Sequence, residues 1–377
     1  MLYFDHSATT PIHSDVLSLI NEVNQDIYGN PSSIHSAGRK AKHVVETARK
    51  QTAAAINCTP KEIIFTGGGS EANNLVLWNM IYRNRKHVIT SAIEHPAILF
   101  VLRQLEHLDI THTIVPVNKY GCVNPEDIDS AIRDDTGLIT IMLANNEVGT
   151  VEPLQDIAKI AKKHNVLLHS DGVQVLGKLP IDVQELGVDM MSFSAHKFYG
   201  PKGVGALYIK EGIAMKPLIA GGSQEKSLRA GTENVGGIAG LGCAAELVTN
   251  SLSDVGRTLT ALETQFKTKL SEQHTNIIYN GFEDNHLPGL MSLTIPGIPS
   301  DLLLIHLDNE DIAVSSGSAC SAGTISPSLV LKAMGISDKQ NLETIRISAG
   351  WDNTSTEIDL LVETMTRVIA TIRRNAR

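Results

Sequence analysis

The stretch Asp189-Met190-Met191-Ser192-Phe193-Ser194-Ala195-His196-Lys197 decides the fold class, because it is a short apolar strand that ends in polar side chains. A similar stretch upstream, Val166-Leu167-Leu168-His169-Ser170-Asp171, ends in a carboxylate. Apolar strands of this kind are buried on both faces and are typical of parallel sheets covered by helices. We therefore predict that Asp171 and Lys197 follow neighbouring strands and lie at the sheet edge where ligands bind.

Short apolar runs alternate with helical patterns on both sides of this pair. Residues Gly38–Ile56 repeat small or apolar side chains at helical spacing and predict an amphipathic helix. The alternation predicts an α/β fold with a mostly parallel, seven-stranded sheet covered by helices on both faces. The predicted strands are Glu62–Thr66, Val88–Ala92, Thr113–Val117, Leu138–Leu143, Val166–His169, Met190–Phe193 and Gly205–Ile209.

The pattern changes near residue 250, which predicts two domains. We expect a large domain of residues 14–250 and a small α+β domain made of residues 1–13 and 251–377. A cleft is expected between the two domains. The small domain is predicted from a long polar helix and three antiparallel-type strands, at Leu259–Leu270, Met291–Ile295, Ala313–Ser316 and Arg346–Ser348.

Composition excludes several classes of function. The net charge of −9, with acidic and basic residues interspersed, argues against direct nucleic-acid binding, which requires a basic surface. The first ten residues carry no basic region or long apolar run, and no stretch reaches about 18 uninterrupted apolar residues. We therefore expect a cytoplasmic protein with no signal peptide and no membrane span.

The four cysteines are Cys58, Cys122, Cys243 and Cys320. They are widely separated along the chain and form no CxxC pair, so they predict neither a zinc site nor a disulfide framework. Each must therefore be interpreted on its own.

A three-glycine turn, Gly67-Gly68-Gly69, lies between the first predicted strand and a helix expected to begin at Ser70. Free backbone N–H groups and the helix dipole favour an anion at such a turn, and glycine permits close approach. Taken alone, the turn is equally consistent with a tight connection in which Ser70 caps the helix. The turn lacks the pattern of a nucleotide-binding P-loop.

Asp171 and Lys197 are each ambiguous when considered singly. Asp171 could pair with a protonated ring nitrogen, or it could cap the next turn. Lys197 could react as an amine with a carbonyl, or it could face solvent as most lysines do. Together with the glycine turn they supply an anion site, a carboxylate and an amine, which are the three groups that pyridoxal phosphate requires.

Motifs along nearly the whole chain resemble the class V aminotransferase-like cysteine desulfurases of the NifS/IscS type. The resemblance implies the fold type I architecture of pyridoxal-phosphate-dependent transferases. The motifs are Tyr3-Phe4-Asp5-His6-Ser7-Ala8-Thr9-Thr10-Pro11, Gly29-Asn30-Pro31-Ser32-Ser33, Glu94-His95-Pro96, Asn145-Asn146-Glu147-Val148-Gly149, Ser194-Ala195-His196-Lys197, Arg229-Ala230-Gly231-Thr232-Glu233-Asn234 and Arg346.

The resemblance assigns cofactor-binding roles to specific residues. It implies that Lys197 forms the Schiff base with pyridoxal 5′-phosphate and carries the substrate's Cα proton. His95 would stack on the cofactor ring and assist proton transfer, Asp171 would pair with the ring nitrogen, and Gln174 would bind the ring hydroxyl. The implied phosphate contacts are Gly69, Ser70, Ser194, His196 and, from the partner subunit of a homodimer, Thr232.

The resemblance also implies how L-cysteine is held. Asn146, which would contact the cofactor as well, and Arg346 match the residues that bind the substrate carboxylate. A planar guanidinium suits that role because it can donate two parallel hydrogen bonds.

Cys320 is the candidate nucleophile that would accept sulfur as a persulfide while L-cysteine becomes L-alanine. It lies in Ser315-Ser316-Gly317-Ser318-Ala319-Cys320-Ser321-Ala322-Gly323, within a catalytic loop of about residues 315–326. These neighbours are small or polar, whereas structural cysteines usually lie among apolar residues, as Cys243 is expected to do. The motif favours the group I branch over the branch whose members also act on selenocysteine.

The sequence leaves several classes of protein open as the acceptor of the sulfur. An iron–sulfur scaffold, a tRNA-thiolating enzyme and a DNA-phosphorothioating enzyme are all consistent with the motif at 229–234. Trp351 stands where housekeeping relatives commonly have arginine, and the sequence ends at Arg377 without their longer apolar tail. Two other functions stay open: another fold type I enzyme, such as an aminotransferase or a β-lyase, and a non-catalytic scaffold for sulfur transfer.

Overall fold

The computed structural model describes residues 1–274, 276–316 and 326–375. The strands in these ranges are β1 (Leu2–Tyr3), β2 (Ile63–Thr66), β3 (His87–Ser91), β4 (Thr111–Val115), β5 (Thr136–Thr140), β6 (Leu167–Asp171), β7 (Met190–Ser194), β8 (Gly205–Ile209), β9 (Ile278–Asn280), β10 (Leu290–Thr294), β11 (Ile312–Ala313) and β12 (Thr344–Ser348).

The α-helices in the same ranges include four short ones of four or five residues. They are α1 (Ser14–Asp26), α2 (Ser36–Ala55), α3 (Gly69–Trp78), α4 (Pro96–Leu105), α5 (Pro125–Ala131), α6 (Leu154–Lys163), α7 (Val183–Leu186), α8 (Gln224–Ser227), α9 (Val235–Gln273), α10 (Ser300–Asp308), α11 (Leu329–Ala333), α12 (Asp338–Asn341) and α13 (Ser355–Asn375).

The main sheet has seven strands in the order β2-β8-β7-β6-β5-β3-β4, which confirms the predicted α/β class. Strand β8 runs antiparallel to both of its neighbours, and the other six strands share one direction. Strand β4 lies two residues upstream of its predicted position, at Thr111–Val115. It is an edge strand with exposed residues, so apolar character does not mark where it begins.

Strands β6 and β7 are parallel neighbours, and their register pairs Asp171 with Ser192. A single helical turn, Ala195–Lys197, follows β7 directly. The last residues of both strands therefore lie at one edge of the sheet, and the chain turns there to place Lys197 beyond the end of β7.

Helix α9 joins two apolar cores. Its first half packs in the core of the main sheet through residues such as Leu241 and Val248. Its second half packs in a separate core, through Leu262 and Phe266, beside the smaller sheets. By length and composition α9 could span a membrane, but 56% of its apolar window is buried inside the protein, so it is a core helix.

The prediction that this helix begins near Leu259 is wrong, because α9 begins at Val235. Its early turns are rich in glycine, a residue with low intrinsic helix propensity. A Cβ atom on Gly240 would lie 2.6 Å from Ile20, and one on Gly242 would lie 2.5 Å from Ala48. Close packing against α1 and α2 therefore requires glycine in these turns. Because glycine is typical of turns and loops, the sequence pattern does not indicate a helix there.

The second core lies beside two small sheets. The first is antiparallel, in the order β12-β10-β9, and the second pairs β1 in parallel with β11. The sequence pattern predicts an antiparallel strand over Ala313–Ser316. This prediction is wrong, because Ala313 belongs to β11, which pairs in parallel with β1. Ser315 does form an isolated antiparallel bridge with Arg346. The domain boundary near residue 250 stays a prediction.

A buried ion pair fixes the chain before the Arg229–Asn234 motif. The guanidinium of Arg49 on α2 donates two hydrogen bonds of 2.8 Å to Glu225. The same carboxylate accepts the backbone N–H of Phe65 on β2 at 2.8 Å. Three segments of the chain therefore meet at one charge pair, and removing either partner would leave a buried charge uncompensated.

Candidate active site

A cavity of about 350 Å³ opens at the edge of the main sheet where β6 and β7 end. It collects ten of the twelve predicted site residues. Thr232 is exposed on a loop and does not line this cavity, and Cys320 lies outside the described residues. The cavity is lined by Ser7, Ala8, Gly69, Ser70, Asn73, His95, Met142, Ala144, Asn146, Asp171, Val173, Gln174, Ser194, His196, Lys197 and Arg346.

The N-terminus of α3 forms one end of this cavity. The helix begins at Gly69 and is capped by Gly68, whose φ of 147° favours glycine. The expectation that Ser70 caps the helix is therefore wrong, since Ser70 lies within its first turn. A Cβ on Gly69 would come within 2.5 Å of the Val173 side chain. First-turn N–H groups have no partner within a helix, and together with the helix dipole they make this end suitable for a phosphate.

Asp171 lies on the floor of the cavity and is 6% exposed. Its carboxylate accepts a hydrogen bond of 2.7 Å from the Asn73 amide and one of 3.0 Å from the backbone N–H of Val173. The sequence interpretation missed Asn73, although it lies four residues after Gly69 and therefore shares a helix face with it. Asp171 is held in place and is available to a positively charged partner in the cavity.

Lys197 donates hydrogen bonds of 2.7 Å to the backbone carbonyls of Ser7 and Ala8. These carbonyls belong to the N-terminal segment, which crosses from the second core to the main sheet. Sequence reasoning included the segment in a motif but gave its residues no role. The two carbonyls orient the lysine amine. Because they are backbone groups, their positions do not depend on side-chain rotamers.

His95 lies at the N-terminus of α4, where Nδ1 accepts the backbone N–H of Ala97 at 3.1 Å. Desolvation lowers its pKa; nearby Asp171 opposes the decrease and Lys197 adds to it. Because Nδ1 accepts a hydrogen bond, the neutral ring carries its proton on Nε2. His95 thus presents an aromatic ring to the cavity, and the lowered pKa favours the uncharged form of that ring.

Two buried carboxyl groups lie behind this wall. Burial raises the pKa of Glu94 to about 8, and that of Glu152 also to about 8. Glu94 accepts hydrogen bonds from the Ser91 hydroxyl at 2.6 Å and from the backbone N–H of Met142 at 3.0 Å. At neutral pH both groups are mostly protonated, and Glu94 supports the cavity wall through Met142 without adding negative charge to it.

Arg346 on β12 closes the side of the cavity that faces the second core, and it is 2% exposed. Its guanidinium donates to Asp5 at 2.7 Å and to the backbone carbonyl of Asn146 at 2.9 Å. Within the described part of the chain, its Nε is buried without a hydrogen-bond partner. A buried guanidinium with spare donors is suited to a small carboxylate.

Both described flanks of residues 317–325 are attached to the cavity wall. Before the segment, Ser315 exchanges backbone hydrogen bonds with Arg346 at 2.6 and 3.0 Å. After it, the Ser328 hydroxyl donates to Glu147, next to Asn146. The chain therefore leaves and rejoins the described structure beside the two residues expected to hold the substrate carboxylate.

Trp351 packs beside the turn that carries Lys197. Its ring centroid lies 4.6 Å from that of Tyr199, and its backbone N–H donates to the Tyr199 hydroxyl at 2.7 Å. Tyr199 has a φ of 64°, in the left-handed region that is unfavourable for a large residue. Trp351 thus supports the turn from the small-sheet side of the protein.

The cavity fits pyridoxal phosphate. An anion site, a supported carboxylate and an oriented amine surround one space, and Gln174 adds an amide at its wall. Asn73 also has a buried carbonyl oxygen that lacks a partner among the described residues. The donor and acceptor types therefore match the phosphate, ring nitrogen and aldehyde of this cofactor.

The sequence model of the family described as aminotransferase class-V matches residues 2–361. The chain therefore belongs to the class V aminotransferase family.

Within that family, the chain is similar to cysteine desulfurase IscS of Dictyoglomus turgidum, with 42% identity over 375 residues that cover 99% of this chain and 95% of the relative. IscS of Methanosarcina thermophila is 41% identical to this chain. The match covers 99% of this chain and 93% of that relative. A solved NifS-like protein is 35% identical with a TM-score of 0.93, covering 98% of this chain and 99% of that one. The protein is thus an IscS/NifS-like cysteine desulfurase, and the cofactor of this enzyme class is pyridoxal phosphate.

Proposed function

We propose that this desulfurase forms a persulfide on Cys320 and that the cavity residues hold and activate L-cysteine. The observation that carries the proposal is the convergence of Lys197, Asp171 and Arg346 on one cavity whose wall also holds both flanks of residues 317–325. The desulfurase relatives disfavour the two alternatives, an aminotransferase or β-lyase and a non-catalytic scaffold.

Arg346 and Asn146 would bind the substrate carboxylate and thereby place Cα near the Lys197 amine. When bound, pyridoxal phosphate withdraws electrons from the substrate carbons that lose and gain protons. The Lys197 amine would remove the Cα proton, and His95 lies on the wall where it could assist. Gly69, Ser70, Ser194 and His196 would hold the phosphate, while Asp171 and Gln174 would hold the ring.

Cys320 would complete the reaction as a thiolate nucleophile. An S–S bond forms between Cys320 and the substrate sulfur while the Cβ–S bond breaks. The electron pair of the broken bond passes to Cβ, which then takes up a proton. The products are alanine and a persulfide, so no external oxidant or reductant is needed.

The reaction is tested by incubating the cofactor-loaded protein with L-cysteine and quantifying every product. We expect one alanine for each sulfur atom recovered on the protein in a single turnover without reductant. With a thiol reductant present, alanine and free sulfide should accumulate together. Pyruvate and ammonia in place of alanine would instead identify a β-lyase.

An Asp171→Asn variant should lose about 10²- to 10³-fold in the rate of alanine formation. The amide keeps the shape of the side chain but removes the negative charge that stabilises a protonated ring nitrogen. Stopped-flow measurement of alanine formation at saturating cysteine gives the rate. Asp156→Asn, at an exposed position on α6, is the matched control and should retain full activity. A wild-type rate in Asp171→Asn would contradict the proposed role.

We also infer a homodimer in which Thr232 contacts the phosphate in the partner's cavity. In support, Thr232 is exposed and does not line the cavity of its own chain. Its motif is held near the glycine turn, because Arg229 donates to Glu71 at 3.1 Å and Glu71 accepts the Gly67 N–H at 2.8 Å.

Three classes of acceptor remain consistent with the family: an iron–sulfur scaffold, a tRNA-thiolating enzyme and a DNA-phosphorothioating enzyme. The cytoplasmic location stays a prediction.

A further inference from the structure

Lys178 lies directly behind the cavity wall and has no part in the reaction described above. Its ammonium nitrogen donates a hydrogen bond of 3.0 Å to the Oε1 of Gln174, whose amide lines the cavity. The Nε2 of the same amide donates at 2.9 Å to the backbone carbonyl of Ser7. Gln174 is therefore held from two sides, by a donor and by an acceptor.

The identities of these partners determine how the amide is oriented. A glutamine amide has one acceptor oxygen and one NH₂ donor group, and the two are interchanged by a half-turn of the side-chain amide. A lysine amine offers only donors when it is protonated, and a backbone carbonyl accepts only. The reversed amide would place donor against donor and acceptor against acceptor. Lys178 and Ser7 therefore select one orientation, which leaves the second Nε2 hydrogen for the cavity.

The turn that carries both side chains is firmly packed. Gln174 and Lys178 are four residues apart in a hydrogen-bonded turn, in which the N–H of Lys178 donates to the Val175 carbonyl at 2.9 Å. Gly177 has a φ of 82°, and a Cβ there would lie 2.9 Å from Val248 on α9. The contact of this turn with α9 thus fixes the position of the Lys178 backbone.

We propose that Lys178 is a positioning residue that orients the Gln174 amide so that its NH₂ group faces the ring hydroxyl of the bound cofactor. The inference rests on the proposed role of Gln174 as the partner of that hydroxyl. Lys178 acts through Gln174 and does not itself contact the reacting atoms.

The charge environment supports this assignment. Burial lowers the pKa of Lys178 to about 7, and the neighbouring cations Lys197 and Arg346 lower it further. His6 also lies close enough for Lys178 to lower its pKa. Within the described part of the chain the Lys178 amine forms no ion pair, and its side chain donates a hydrogen bond to Gln174. Both protonation states of the amine have an N–H to donate, and the Ser7 carbonyl accepts from Gln174 in either case, so the orientation persists on either side of neutral pH.

The test measures binding of pyridoxal 5′-phosphate to the apoprotein, without turnover. Lys178→Met keeps the length of the side chain and removes the donor, so we expect a Kd about fivefold to tenfold higher than in the wild type. The absorption maximum of the bound cofactor should shift in the same direction as in Gln174→Ala. Lys162→Met, at an exposed position on α6, is the control and should change neither quantity.

A double-mutant cycle separates positioning from a general structural effect. In a Gln174→Ala background, Lys178→Met should cause no further loss of affinity, because the residue through which it acts is gone. An equal loss in both backgrounds would overturn the inference, as would wild-type affinity in Lys178→Met when Gln174→Ala binds weakly. Unchanged affinity in Gln174→Ala would overturn the role of Gln174 and this inference, while leaving Cys320 as the persulfide site. Thermal unfolding of each variant checks that the fold is intact.

Discussion

A Lys197→Ala variant should form alanine from L-cysteine at least about 10⁴-fold more slowly than the wild type, because it loses both a covalent anchor and a proton carrier. The amine is oriented by the carbonyls of Ser7 and Ala8, and a methyl group retains none of its chemistry. The visible absorption of the cofactor attached to the protein should disappear at the same time. Alanine production and the absorption spectrum are the two measurements.

The variant must still be folded for this result to be informative. Lys210→Ala is a matched control, because Lys210 follows β8, which pairs with β7 beside the site, and its side chain is half exposed. We expect wild-type turnover in the control and unchanged thermal unfolding in both variants. Turnover of Lys197→Ala within tenfold of the wild type would show that another amine carries the reaction.

A Cys320→Ala variant should lose at least about 10³-fold in persulfide formation, since it lacks the thiolate that would attack the substrate sulfur. The cofactor should still bind, because the described residues that line its cavity are unchanged. Mass spectrometry of the protein after one turnover measures the added sulfur directly. Retained production of alanine and sulfide would contradict the assignment of Cys320.

The other three cysteines provide the control. Burial raises the pKa of the Cys58 thiol to about 12 and that of the Cys122 thiol to about 11. Burial also raises the pKa of Cys243. All three are therefore protonated and unreactive at neutral pH, and we expect a variant with alanine at all three positions to form the persulfide normally. Sulfur found on any of them in Cys320→Ala would show an alternative route.

The sequence was sufficient to predict the parts of this enzyme that depend on local patterns. Asp171 and Lys197 could be placed at one sheet edge because each follows an apolar strand, and the parallel register of β6 and β7 brings them together. The glycine turn and the α/β class followed from similar local signals. A functional residue can therefore be predicted from the sequence when its side chain is chemically distinctive and it follows a recognisable strand.

Other parts depend on contacts between residues far apart in the chain. Asn73 and Lys178 support the site by donating to Asp171 and Gln174, and neither stands out in a sequence. The early turns of α9 were missed because their glycines are selected by close packing against α1 and α2. Such features are determined by partners that only the folded chain reveals.

The N-terminal segment has a consequence for how the enzyme is made in the cell. Asp5 forms its ion pair with Arg346 across 341 positions of sequence. At typical translation rates, the partner of Asp5 is synthesised roughly 20 to 70 s later. Asp5, in the segment that orients Lys197, thus leaves the ribosome among the first residues but can form its ion pair only after Arg346 has been made. A nascent chain can fold its main sheet early, yet the catalytic centre is completed only when synthesis is nearly over.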